Sequence, residues 1–208
     1  MDEDEVLGAE EVPAGRAFTH PDRTREDFAA LQEMAAALAR LCRGPLPDSP
    51  RPLLLDAARP GERGHRVVLC DERRLGAAPA PSLVGFFGEK RAGVDPTPLD
   101  ETDDGLIAEF PAHPGILSYS SLELLGGDWG NLIVLDPPEA REHWRTSPRH
   151  AYAAGELAPR HYTVVRLHRG RLAGGLLPEP SLLLEETKYY DFRGPTPWRA
   201  IRRLVPGR

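Results

Sequence analysis

The sequence lacks the features that mark membrane and secreted proteins. Its longest apolar runs, NLIVL at 131–135 and SLLL at 181–184, fall far short of the roughly 18 residues that a membrane span needs. The first residues, MDEDEVLGAEE, contain neither the basic region nor the apolar core of a secretory signal. We therefore expect a cytoplasmic protein that does not contact a membrane.

Cysteine and lysine are both scarce. Cys42 and Cys70 are too few for a disulfide framework, and such a pair in a cytosolic chain is most often two small buried side chains. Lys90 and Lys188 are the only lysines, and the other 24 basic residues are arginines spread along a chain of net charge -6. A phosphate backbone requires a basic surface, so we expect no nucleic-acid partner.

The 208 residues divide into three predicted parts, and a proline-rich linker at 77–82 separates the third part from the first two. Residues 1–22 are polar and aperiodic, which predicts a flexible acidic arm. Residues 23–81 predict an N-terminal helix and β-hairpin extension: apolar residues recur at helical spacing from Thr24 to Gly44, and two strand patterns follow at 53–58 and 65–72. Residues 82–208 predict a ferredoxin-like domain with C-terminal tail strands.

The order of patterns in the third part predicts the fold class. A strand (SLVGFFGEK), an acidic helix (LDETDDGLIAEF) and a strand (GILSYSSLELL) precede a second strand (NLIVLD), a helix capped by Asp136 and a last strand (HYTVVRLHRGRL). This β-α-β-β-α-β order is that of ferredoxin-like α+β domains. Because NLIVL is apolar at consecutive positions, both sheet faces need cover, and helices of one subunit cover only one. We therefore expect a homodimer.

The second helix of this domain contains the segment HWRTSPRHAYA. The Ser147-Pro148 step removes a backbone donor inside the helix, so we expect two short helices, with Ser147 as the cap of the second. His143 then lies at the end of the first helix and His150 at the start of the second. Their spacing places them too far apart to bind one metal ion, and no zinc-binding motif is present, so we expect no metal.

Several polar and aromatic side chains have two interpretations. Arg166 and His168 make one face of the last strand unusually polar, which a ligand cleft, a subunit interface or an edge near solvent would explain. Trp129 and Asn131 lie at the start of a strand that follows a Gly-Gly turn. Either Trp129 is the aromatic anchor of a hairpin, or the two residues are part of a site. Trp144 faces either the core or a ligand.

The order of elements and the segment HWRTSPRHAYA resemble the dimeric α/β-barrel superfamily, in particular the antibiotic-biosynthesis-monooxygenase-like proteins, over residues 82–170. The resemblance implies two ferredoxin-like subunits that pair their sheets into a shared barrel, with a pocket between each sheet and its helices. Activities in the group include cofactor-free oxidation of aromatic or quinol-like compounds and oxidative haem degradation. Haem degraders use an Asn, a Trp and an iron-ligating His; Asn131, Trp129 and His150 are of these types, although the first two lie close together on one strand.

Three functional classes remain open: cofactor-independent monooxygenase-like oxidation of a small aromatic or quinol-like molecule, ligand binding or assembly without catalysis, and haem binding or degradation. In the first class, His150 is the proton-transfer group, and Asn131 and Tyr119 donate hydrogen bonds to substrate oxygen. The predicted substrate-binding side chains are Trp129, His143, Trp144, Arg166 and His168. We expect no cofactor other than haem, which belongs to the third class.

Overall fold

A mixed sheet of nine strands forms the centre of the protein in a computed structural model that describes residues 4–58 and 61–204. In chain order the strands are β1 (Glu5–Val6), β2 (Leu53–Asp56), β3 (His65–Leu69), β4 (Ser82–Lys90), β5 (Ile116–Glu123), β6 (Trp129–Leu135), β7 (Tyr162–Ala173), β8 (Ser181–Asp191) and β9 (Trp198–Arg203). Across the sheet their order is β1-β9-β8-β7-β4-β6-β5-β3-β2. Residues 1–3 of the predicted arm, 59–60 of the predicted turn and 205–208 of the predicted tail lie outside the described residues.

Helices flank the sheet on both faces. They are α1 (Pro21–Arg43), α2 (Glu72–Ala77), α3 (Thr97–Glu109), α4 (Ala140–Arg145), α5 (Pro148–Tyr152) and α6 (Ala158–His161), with 3-10 turns at Ala17–Thr19 and Phe110–Ala112 and a π-helical turn at Ala153–Leu157. None of the helices in the described part of the chain is long and apolar enough to cross a membrane.

The prediction of a ferredoxin-like domain that forms a dimeric barrel is wrong. The β-α-β-β-α-β segment is the middle of a larger sheet, because the β2-β3 hairpin pairs with β5 at one side and β8 and β9 extend the sheet beyond β7 at the other. The predicted extension and tail are thus parts of the same sheet. Pairings between distant segments, such as Val67 with Ser120, leave no periodic signal in either strand alone.

Helix α1 covers the sheet face that a barrel partner would occupy, and we call this face the α1 face. Leu31, Met34 and Leu38 are fully buried against the sheet. A β-carbon on Gly85 of β4 would lie 2.9 Å from Cδ2 of Leu31, so glycine at this position permits the close approach of helix and strand. Since α1 supplies this cover, the physical reason for expecting a homodimer no longer holds.

The opposite face, which we call the helical-layer face, packs against α3, α4, α5 and α6. Its core contains Tyr119 and Ile133 from the sheet, with Phe110 and Trp144 from the helices. The covering is incomplete: within α3 only Thr102 is buried, and the other residues of that helix are partly or fully exposed. Helix α3 therefore contacts this face through one buried residue and several half-buried ones.

The break predicted in the second helix is confirmed. α4 ends before Ser147, α5 begins at Pro148, and the Ser147 hydroxyl accepts a hydrogen bond from the backbone N–H of His150 at 3.2 Å. The predicted cap at Asp136 is wrong, because α4 begins later, at Ala140. Asp136 instead lies near Arg74, whose guanidinium donates to the Asp136 carbonyl oxygen at 2.6 Å.

Residues of the predicted flexible arm contact the sheet at its β9 edge. β1 runs parallel to β9, and Leu7 and Phe18 are buried with Tyr189 and Ala200 in a small core. The first residues of the described chain therefore help to close the sheet at the β9 edge.

Candidate functional site

The side chains predicted to form one site lie on opposite faces of the sheet. Arg166 and His168 lie on the α1 face, where both contact Asp27 of α1. The remaining six belong to the helical-layer side: Tyr119, Trp129, Asn131, His143, Trp144 and His150. One ligand therefore cannot contact all eight.

A buried network of ionic and polar side chains explains the polar face of β7. Arg166 donates two hydrogen bonds to the Asp27 carboxylate, from Nε at 2.6 Å and from Nη2 at 3.0 Å. The ring of His168 lies between this carboxylate, 2.8 Å from Nε2, and the Thr187 hydroxyl, 2.9 Å from Nδ1. The outer edge of the Arg166 guanidinium lies 3.2 Å from Glu89.

The carboxyl of Asp27 is held in its ionised form. Burial alone would raise the pKa of this carboxyl, but its hydrogen bonds with His168 and Arg166, together with the positive charge of Arg166, hold the pKa below its ordinary value. The ionised Asp27 carboxylate compensates the positive charge of Arg166 inside the protein. The network thus fastens α1 to β7 and β8 through charged hydrogen bonds.

The hydrogen-bond contacts that run from Thr187 through His168 to Asp27 match the arrangement of a hydroxyl nucleophile, a base and an orienting carboxylate. However, His168 and Thr187 are completely buried, and Asp27 is only 4 % exposed. A substrate cannot reach either the hydroxyl or the imidazole in this arrangement. Its burial favours a structural role, and the substrate-binding role predicted for Arg166 and His168 finds no support in their positions.

On the helical-layer face, Tyr119 is bound to a carboxylate of α3. Its hydroxyl donates to Asp103 Oδ1 at 2.8 Å, and the Arg66 guanidinium pairs with the other oxygen of the same carboxylate. Burial and the nearby charge of Asp103 raise the pKa of Tyr119, so the phenol stays protonated. The hydroxyl predicted to donate to a substrate is therefore already engaged within the protein.

Asn131 has an open hydrogen-bonding position. It is cross-strand partner to Ser121 of β5 on one side and to Phe86 of β4 on the other. Its Oδ1 atom is buried and has no hydrogen-bond partner among the described residues. Leaving such an acceptor unsatisfied costs about 1–3 kcal/mol unless water or a ligand supplies a donor.

Aromatic side chains surround this position. Trp129 lies two residues before Asn131 on β6 and therefore on the same face, with 37 % of its surface exposed. The ring of Tyr162 packs edge-on against Phe86, with centroids 5.4 Å apart, and lies over Gly88, where a β-carbon would come within 2.4 Å of the ring. Asn131 is thus an isolated polar acceptor in an aromatic environment.

A chain of rings connects the sheet to His150. Phe110 contacts Tyr119 and Trp144 at centroid distances of 5.8 and 5.9 Å, and Trp144 contacts His150 at 4.8 Å. Burial, followed by the charges of Arg145 and His113, lowers the pKa of His150 and favours its neutral form. The indole Nε1 of Trp144 is buried and has no hydrogen-bond partner in the described part of the chain.

His143 contacts a histidine at the surface of the helical layer. Its Nδ1 atom lies 3.3 Å from Nδ1 of His113, in an exposed contact at the surface of the helical layer. Burial and the charge of His143 lower the pKa of His113, since two protonated rings would repel each other. His143 therefore has a surface histidine as its neighbour rather than the buried aromatic cluster.

Sequence reasoning missed the two carboxylates that organise the faces. Neither Asp27 nor Asp103 was expected from the sequence to contact a site residue. A signal for Asp27 was present, because two buried cationic or polar residues on β7 require an acid from another element. No comparable local signal identified Asp103, whose partners Arg66 and Tyr119 lie on two separate strands.

The described residues offer no group of three or more His, Cys, Asp or Glu side chains placed to hold a metal ion. The residues proposed for haem do not fit it. A porphyrin bound through His150 needs an open slot beside the imidazole, but Trp144 packs there and Phe110 fills the layer beyond. Asn131 is instead beside Ser121 and Phe86.

No family model matches this chain, and no match is found among curated proteins or solved structures. Its function has to be inferred from its own side chains.

Proposed function

We propose that the protein binds a small neutral aromatic molecule carrying a hydroxyl group, such as a phenol or quinol, beside Asn131 on the helical-layer face. The observation that carries this proposal is the buried Oδ1 atom of Asn131, which has no hydrogen-bond partner among the described residues. A ligand hydroxyl would supply the missing donor and remove the cost of the unsatisfied acceptor.

The aromatic environment supports an aromatic ligand. Phe86, Trp129 and Tyr162 provide ring surfaces near Asn131, and a ligand ring would gain offset or edge contacts with them. Apolar and aromatic side chains around a small number of polar groups are the usual composition of a small-molecule site.

Nearby carboxylates favour a neutral ligand over an anion. After burial, the charges of Asp103, Asp128 and Asp100 raise the pKa of Tyr162, so these carboxylates act on the space around its phenol. A carboxylate or phenolate ligand would be repelled by the same charges. A protonated hydroxyl group meets the acceptor without this repulsion.

Binding without catalysis fits the geometry best, because the Tyr119 hydroxyl is engaged by Asp103 and is not free to stabilise a substrate oxyanion. Removing the acceptor tests the binding site. In Asn131→Leu, hydroquinone should bind at least about tenfold more weakly than to the wild type, while Asn131→Asp, which keeps an acceptor, should retain binding. Calorimetric titration of the three proteins measures the affinities.

The matched ligand is 1,4-dimethoxybenzene, which has the same ring and no donor. It should bind the wild type and Asn131→Leu with equal, weak affinity. Equal binding of hydroquinone to the wild type and Asn131→Leu, or no binding to the wild type, would contradict the proposal.

A second candidate function is cofactor-independent monooxygenation of the same ligand class, favoured by the lowered pKa of His150. Its neutral imidazole would take the phenolic proton, and the electron-rich anion would reduce O2. One oxygen atom then enters the ring as a carbonyl, and the other leaves as water. General-base catalysis of this kind supplies about 100-fold or more in rate.

For this candidate we expect oxygen uptake with hydroquinones and polyphenols to fall about 100-fold in His150→Ala and to be unchanged in His20→Ala, a control at an exposed histidine beside the start of α1. An oxygen electrode measures the rate of uptake by the wild type and the two variants. No uptake by the wild type, or equal uptake by wild type and His150→Ala, eliminates His150 as a base without affecting the binding proposal.

A further inference from the structure

A recess lies where the N-terminal segment meets the end of β8 and the start of β9. It is an open cleft of about 410 Å³, and its walls include Gly15, Arg16, Asp191, Arg193, Thr196 and Trp198. This volume falls within the range of roughly 300–1,000 Å³ that small organic ligands occupy.

Asp191 fixes one wall of the cleft. Its carboxylate accepts hydrogen bonds from the backbone N–H of Arg193 at 3.0 Å and from the Arg193 side chain at 2.9 and 2.6 Å. These bonds lower the pKa of Asp191 despite its partial burial. Arg193 also donates to the Gly15 carbonyl at 2.9 Å, so its guanidinium is held in place.

Arg16 forms the other wall and retains free donor capacity. Its guanidinium carbon lies 4.1 Å from the centroid of the Trp198 ring, which orients the planar group. Its Nε atom is buried, lies 3.7 Å from Asp191 and has no hydrogen-bond partner among the described residues. Among the residues that line the cleft, two arginines therefore share one carboxylate, that of Asp191, while Glu5 is engaged outside the lining by the Trp198 indole at 2.8 Å.

We propose that this cleft binds a small organic anion that carries a carboxylate or phosphate, with Arg16 as its main contact. A guanidinium presents donors in the planar geometry that such oxyanions accept. Trp198 keeps the guanidinium oriented, so little conformational entropy is lost on binding. The site is independent of the one beside Asn131, from which it differs in both location and charge preference.

The test uses the full chain and two probes, inorganic phosphate and benzoate, titrated at constant ionic strength maintained with sodium chloride. A ¹H–¹⁵N spectrum that includes the arginine Nε–H region reports on Arg16 directly. We expect the Arg16 Nε–H signal to move in a saturable way with at least one probe, and the probe that binds identifies the headgroup.

In Arg16→Gln, affinity for that probe should fall at least tenfold. The control Arg23→Gln removes an exposed arginine of α1 that pairs with Glu26, and it should bind like the wild type. If Arg16→Gln does not fold, the Arg16 Nε–H signal of the wild type still tests the proposal. An unmoved Arg16 signal with both probes, or equal affinity in all three proteins, would overturn the proposal.

Discussion

Replacing Asp27 by asparagine is expected to lower the free energy of unfolding by about 3–5 kcal/mol, the usual cost of removing one partner of a buried ion pair. Asparagine keeps the size of the side chain but not its charge. Arg166 would remain buried, 8 % exposed at its side chain, and its remaining carboxylate partner would be Glu89, 3.2 Å away and 46 % exposed at its side chain. Chemical denaturation monitored by circular dichroism measures the change.

Asp22→Asn is the matched control, because Asp22 lies on the same helix and forms an exposed ion pair with Arg25. Its effect should stay within about 0.5 kcal/mol, as for most surface substitutions. A loss below 1 kcal/mol for Asp27→Asn would show that the network does not hold α1 to the sheet.

The same carboxylate predicts a dependence of stability on pH. The pKa of Asp27 is lower in the folded than in the unfolded protein, where it is about 3.9. Its contribution is therefore fully present above the unfolded pKa and is lost as the pH falls through the folded value. Asp27→Asn should lack this part of the acid-induced loss, which denaturation at a series of acidic pH values would reveal.

Replacing Leu31 by alanine is expected to cost about 2–5 kcal/mol, since the side chain is fully buried between α1 and the sheet. The loss combines the transfer energy of the removed atoms with the cavity that remains. Leu125→Ala, at a side chain 95 % exposed, should leave stability nearly unchanged. An equal effect at both positions would contradict the packing of α1 on this face.

Gly85 provides a second readout of the same contact. A β-carbon at this position would clash with Leu31, so Gly85→Ala alone should be destabilising. Combined with Leu31→Ala, it should cost less than the sum of the two single changes, because the smaller side chain leaves room for the new methyl group. Additive effects would show that helix and strand do not meet at this point.

Local features of the fold were predictable, because their causes lie within a few residues. Ser147 and Pro148 end one helix and begin the next by themselves, and the strands at β4 and β6 follow from their own apolar runs. The position of α1 was not predictable. Its amphipathic pattern shows that one side is buried but not what covers it, and Asp27 lies 139 residues from Arg166 in sequence.

The candidate site was predictable in part for the same reason. Tyr119 and Asn131 were expected near one face of the sheet, and alternation along two adjacent strands places them there. The engagement of Tyr119 by Asp103 depends on how α3 crosses the sheet, which no local pattern specifies. Arg166 and His168 were recognised as unusual, but their partner lay in a segment interpreted as an extension.

The most direct test of the proposed binding site is a nuclear magnetic resonance titration of side-chain amides with hydroquinone. The chain has one asparagine and one glutamine, so its spectrum contains only two pairs of side-chain NH2 signals, from Asn131 and Gln32. Gln32 is exposed on α1 and acts as an internal control. Hydroquinone bound beside Asn131 should shift the Asn131 pair in a saturable way and leave the Gln32 pair unmoved; an unmoved Asn131 pair, or equal drift of both pairs, would contradict the proposed site.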